Sequence, residues 1–197
     1  MSRSLNEGFT ICQLRLYQEH HILASLFIDP NNPDDFVAGY VEALNARHVI
    51  LRSVSPFGRF DGFILVRVAA VTMAIGEDDD AERLRRLLYF RGEKPTEPFS
   101  LQPGEDFLHA VCRNALEGNR VITLWTADAE YIGRIERLDD MRVTLLRYDF
   151  FGENPVSETI ALRDVEQASF GAEDDRLYEV LSDGAMKLYS SPPPEQE

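Results

Sequence analysis

The spacing of apolar positions changes period in a fixed order along the chain, and the order occurs twice. Leu5, Phe9, Cys12 and Leu16 are spaced 4, 3 and 4, the stripe of an amphipathic helix. Leu108, Val111, Cys112 and Ala115 form a second stripe, with Gly118-Asn119 as its natural stop. Short runs of β character follow each stripe. In the first half they are HILASLFI (21–28), FVAGYVEAL (36–44), HVILRSV (48–54) and GFILVRVAAVTMA (62–74). In the second they are RVITLWTA, EYIGRIERL, RVTLLRYDF and SETIALRDVEQASF, separated by turn-rich spacers such as LDD and FGENP. A helical pattern then returns. DDDAERLRRLLYF (78–90) sets Ala81, Leu84, Leu87 and Leu88 on one side behind capping aspartates, and DDRLYEVL (174–181) does the same with Leu177, Val180 and Leu181.

The halves also match residue by residue. Gly39, Val41, Leu44, Asn45, Val49 and Leu51 lie 94 residues before Gly133, Ile135, Leu138, Asp139, Val143 and Leu145. Phe57-Gly58 matches Phe151-Gly152 at the same offset, while Cys12 and Ile22 precede Cys112 and Ile122 by 100. An insertion at PNNPDD (30–35) accounts for the drift. The expected organisation is therefore a first unit at 1–90, a linker at 91–105 with three prolines and two glycines, a second unit at 106–184, and a loose tail at 185–197. Two copies do not make a solenoid. Each unit reads as helix, about five short strands, helix, which suits a small, partly open barrel plugged by its helix.

A glycine inside a strand weakens it, so Gly39 and Gly133 are expected to mark sharp bends where a Cβ would strike the neighbouring strand. Around them, Gly-x-Val-x-x-Leu-Asn-x-x-His-Val (39–49) and Gly-x-Ile-x-x-Leu-Asp-x-x-Arg-Val (133–143) resemble the first motif of the Sm/LSm family of small SH3-like barrels. The resemblance covers about two thirds of the chain and implies a mainly-β fold of two tandem Sm-like barrels with flanking α-helices. RNA-binding members of that family carry an asparagine ten residues after the glycine, where this chain has Val49 and Val143. The family's second motif centres on Arg-Gly. Its nearest match is Asp61-Gly62, with the charge reversed, and NPVSET (154–159) in the second copy lacks it. The scaffold resembles the family and the RNA-contacting residues depart from it. The resemblance also implies edge-to-edge assembly, by strand addition to an open barrel.

Charge changes the functional picture. The chain carries a formal −14, of which −3 falls in residues 1–100 and −11 in 101–197. Such acidity opposes attraction to DNA, RNA and anionic membrane surfaces. Two cysteines are too few for a disulfide scaffold, and the start of the chain reads as no signal peptide. The longest apolar run is far short of the ~18 residues of a membrane span. A cytoplasmic protein is expected.

Catalytic chemistry finds no constellation. Cys12 and Cys112 read as small core residues at equivalent helical positions. His20 and His21 are adjacent at an expected strand start, where side chains diverge, and the remaining histidines are His48 and His109. No metal-ligand spacing, calcium loop or phosphate loop occurs, so no cofactor, no metal and no enzymatic activity are expected. The binding candidates are two loop sets: Asn45 and His48 with Asp139 and Arg142, and Phe57, Arg59, Phe60, Asp61 and Gly62, where Arg59 between phenylalanines offers a stacking platform. RLRRLLYFR (83–91) adds four arginines on a short helix, and Trp125 reads as core. The expected function is a non-catalytic interaction module that binds protein, or itself, through barrel edges or helix faces. The alternatives are Sm-type binding of single-stranded RNA and small-molecule-binding regulation.

Overall fold

The computed structural model describes residues 2–28, 36–95, 99–149 and 155–183, with side chains from residue 8 onward. The insertion at 30–35, the Phe151-Gly152 pair and the tail 185–197 lie outside them. In chain order the first copy is α1 (Ser2–Glu19), β1 (Leu23–Phe27), β2 (Phe36–Leu44), β3 (His48–Val54), β4 (Phe60–Arg67), a one-turn 3-10 helix (Val68–Ala70), β5 (Met73–Gly76) and α2 (Asp79–Arg91). The second is α3 (Phe107–Glu117), β6 (Val121–Thr126), β7 (Glu130–Leu138), β8 (Arg142–Arg147), β9 (Val156–Ala161), a 3-10 turn (Leu162–Asp164), β10 (Val165–Phe170) and α4 (Glu173–Ser182). The apolar run 62–74, read as one strand from its sequence, is thus broken by the 3-10 turn, as is its counterpart in the second half.

All ten strands belong to one antiparallel sheet, ordered β5-β1-β2-β3-β4-β10-β6-β7-β8-β9. Within each copy the order is fifth, first, second, third, fourth. The fold is mainly β with helices, but the sheet is open and does not close into a barrel. The boundary expected between two barrels is instead bridged, because β4 of the first copy pairs with β10 of the second.

Register fixes which residues correspond. Ala24 pairs with Gly39 and Ile122 with Gly133. His21 and Asn119, both left-handed, end the two opening helices at matching places. The offset for α1 and β1 is therefore 98, not 100. This corrects the expected match of the cysteines: Cys112 corresponds to Leu14, both fully buried, whereas Cys12 corresponds to Ala110 and is exposed. His20 and His21 likewise sit in the turn after α1 rather than in a strand.

Among the described residues three apolar clusters form. One lies under α1, where Leu14 and Tyr17 meet Val49, Leu51, Ile64 and Val66. A second lies under α2, where Ala81, Leu84 and Leu88 meet Leu23, Ala38 and Val54. The third gathers α3 residues Phe107, Leu108, Val111 and Cys112 with second-copy strands and with Ile50, Phe63 and Leu65 of the first copy. Alternate residues of β3 and β4 thus serve both copies, as strand periodicity allows. Each large side chain so buried contributes roughly 1.5–3 kcal/mol.

The α2 cluster has no apolar counterpart below α4 among the described residues. Where the first copy has Phe36, Tyr40 and Ala81, the second has Glu130, Arg134 and Asp175, each 94 residues on. Leu177 and Val180, expected to pack inward, are more than half exposed, and the inward position is held by Asp175.

Candidate functional site

The seam between the copies positions everything around it. Phe63 pairs with Phe170, Ile64 with Ser169, Leu65 with Ala168 and Val66 with Gln167. Gly62 has φ 69°, and a Cβ there would run into the carbonyl oxygen of Phe170 and the backbone of Gly171, so only glycine lets the strands approach. Beside it the Asp61 carboxylate accepts the Glu173 N–H at 2.7 Å, capping α4 of the other copy. At the far end Arg67 donates to the carbonyls of Val165 at 2.7 Å and Arg163 at 3.1 Å. Phe63 contacts Phe170 and the linker's Phe99 at 5.2 and 5.1 Å, and the Arg52 guanidinium lies 4.5 Å over its ring.

The expected loop residues divide between the two ends of the strands. Asn45 Oδ1 accepts the N–H groups of Arg47 and His48 at 2.7 and 2.8 Å, and Asp139 Oδ1 accepts those of Met141 and Arg142 at 2.9 Å each. Both are turn caps of one design. Their loops come together, since His48, Asp140 and Met141 line one depression of about 610 Å³ beside Arg47, Arg67 and Asp106. Burial lowers the pKa of His48, whose Nδ1 is enclosed without a partner among the described residues. The second set lies elsewhere. Phe57, Arg59, Phe60, Asp61 and Gly62 follow β3, about 20 Å from the first set along that strand. Gly58 packs against Leu87 of α2, Phe60 joins the α2 cluster, and Phe57 points to solvent. The two loop sets therefore lie at opposite ends of β3 and do not adjoin. Val49 and Val143 are wholly buried. At Gly39 and Gly133 a Cβ would strike the carbonyl oxygens of Arg52 and Leu146 across the sheet, and each glycine is followed by a bulge in β2 or β7.

The two ends of the sheet differ in chemistry. Among the described residues β5 pairs only with β1, so it ends the sheet and its outer edge has no described partner strand. Above it lies α1, whose Gln18 reaches the Glu42 carbonyl in β2 and whose Gln13 reaches the Ala74 carbonyl in β5. On a 3.6-residue helix Phe9 and Leu16 flank Gln13 on the β5 side. They are 70% and 48% exposed, and Cys12 between them is exposed too. At the opposite end, β8 and β9 carry polar residues where β3 and β4 are apolar: Thr144 of β8 stands at the position of Ile50, and Ser157 and Thr159 of β9 at those of Phe63 and Leu65. Thr144 and Thr159 hydrogen-bond at 3.0 Å, and Ser157 bonds Glu136.

No family model matches the chain, and no curated protein matches it. Among the described residues no cluster of His, Cys, Asp or Glu could hold a metal, and no helix is long and apolar enough to cross a membrane. Three features were missed in the sequence. Arg67 gives no sign of its seam role in a run of β-type residues. Phe9 lies on an apolar helical stripe, the pattern of a buried face, and nothing in that pattern shows its exposure. Trp125, also read as core, is half-buried and forms a cavity wall.

Proposed function

We propose that the chain is a non-catalytic protein-interaction module built of two Sm-like units joined through β4 and β10. Its free β5 edge and the adjoining α1 stripe receive a strand of another protein. The observation that carries this reading is the unequal burial of matching residues. Phe107 of α3 is buried in a cluster that takes in Ile50, Phe63 and Leu65 of the neighbouring copy and packs against Phe99, whereas Phe9, its match in α1, is in no such cluster among the described residues. The repeated strand order and the paired turn caps support the two-unit reading.

The seam indicates what a partner supplies. It offers an extended strand antiparallel to β5, with large apolar side chains at alternate positions, as β4 does with Phe63 and Leu65. Head-to-tail stacking of identical chains would set Ser157 and Thr159 against Phe9 and leave it poorly covered. A different protein is the better match. The RNA alternative has less support, because Arg67 is committed to backbone carbonyls and the loop end mixes basic with acidic groups.

A synthetic peptide of residues 59–68 carries the β4 pattern and tests the reading by calorimetry. It is expected to bind the intact protein, and the double substitution of Phe9 and Leu16 by Asp is expected to weaken binding at least about tenfold. Equal binding of a 154–163 peptide, or no binding of either, would count against the edge.

A further inference from the structure

The missing cluster beneath α4 leaves space. A cavity of about 780 Å³ opens there, between the copies, with walls from β2, β3, β4, β10, β6, β7 and α4. That volume lies within the range of small-molecule sites. Its apolar wall includes Val54, Phe63, Trp125, Ile132, Leu177 and Leu181. Its ionisable lining is of one sign: Asp61, Glu130, Asp174 and Asp175 contribute, and none of the described lining residues is basic. Asp61 and Asp175 are occupied in holding α4, since Asp61 accepts the Glu173 N–H, and Asp175 accepts the Ala172 N–H at 3.0 Å and the Thr123 hydroxyl at 2.7 Å. Arg176 also acts on Asp61 from the same helix. Glu130 and Asp174 remain, both exposed at the rim. Ser55 is also part of the lining, 6% exposed, with its Oγ enclosed and without a hydrogen-bond partner among the described residues. A buried hydroxyl left unpaired is unfavourable unless something satisfies it.

We propose that this cavity binds a small organic cation, an apolar body carrying one protonated amine or guanidinium whose head meets Glu130 and Asp174. The first copy shows the alternative that was given up. With Phe36, Tyr40 and Ala81 the position in the first copy fills with its own side chains, whereas in the second Glu130 and Asp175 line a hollow and Arg134 turns away to Asp183 and the Asn119 carbonyl. An anionic ligand is opposed by the rim carboxylates of Glu130 and Asp174, and an unfunctionalised apolar one leaves them unused. The site is separate from the β5 edge, so either proposal can fail alone.

Trp125, the only tryptophan of the chain, reports directly on the cavity. The full-length protein is titrated with 4-phenylbutylamine, the neutral 4-phenylbutanol and the anionic 4-phenylbutyrate while tryptophan emission is followed. The amine is expected to give a saturable change in the millimolar range or below, at least about tenfold tighter than the alcohol, with no saturation by the carboxylate. The exposed pair Glu130→Gln and Asp174→Asn is expected to bring the amine to the affinity of the alcohol. Absence of saturation by the amine, equal affinity for amine and alcohol, or amine binding unchanged in the double variant would overturn the proposal.

Discussion

Phe9 and Phe107 occupy the same place in the two copies, 98 residues apart, and one is 70% exposed while the other is 7% exposed. The difference comes from what lies next to them in the sheet. β10 has β4 as its neighbour, and β5 has an edge without a partner strand among the described residues. Substituting Asp at these positions should separate the roles. Phe107→Asp buries a charge in the α3 cluster and is expected to cost at least about 3 kcal/mol in urea denaturation. Phe9→Asp should stay within about 0.5 kcal/mol of the parent.

Gly62 carries both a left-handed backbone and a close approach to the partner strand. Gly62→Ala is expected to destabilise by more than about 2 kcal/mol, the sum of conformational strain and the contact with Phe170. Gly104 is the control, because it is left-handed at φ 80° with open space around it. Its replacement by Ala should show the strain alone, about 1–2 kcal/mol. Equal costs at the two positions would remove the seam contact from the account.

Asp175 is 1% exposed, and burial pushes its pKa up to about 7 from an unfolded value of 3.8. The folded state therefore holds this proton more tightly than the unfolded state. Ionisation costs nothing below about pH 4, and the penalty grows as pH rises and is complete above about 7. Asp175→Asn should remove that slope. The stability difference, variant minus parent, is expected to rise by roughly 2–3 kcal/mol between pH 5 and pH 8. An unchanged difference would place the ionised carboxylate in a well-solvated site.

The two cysteines should differ sharply in reactivity. Cys12 is exposed, whereas Cys112 is wholly buried and its thiol is pushed up to about 12 by that burial. A thiol reagent at neutral pH is expected to titrate one group in the native protein and two in denaturant. The 59–68 peptide should slow the reaction of Cys12, which lies in the α1 stripe.

Much of the fold was legible in the sequence because each signal was local. The repeated glycines announced the strand bends, Asn45 and Asp139 announced matching turns, and the helical stripes announced four helices. The seam was not legible, because nothing in the composition of β4 says that its outward face belongs to the other copy's core. Cys12 misled for a related reason: an apolar stripe is the same whether it meets the chain's own strands or stands at a free edge. Asp175 resembles any N-terminal helix aspartate until the sheet beneath it is seen. The cavity escaped notice because it arises from what the second copy lacks.

The central claim is that the β5 edge receives a strand. Hydrogen exchange of the intact protein, with and without the 59–68 peptide, tests it most directly, because edge amides of β5 exchange freely unless a neighbour accepts their hydrogen bonds. The peptide is expected to slow exchange in residues 73–76 and in the adjoining face of α1, leaving β9 unchanged. Protection confined to β9, or none at either edge at saturating peptide, would contradict it.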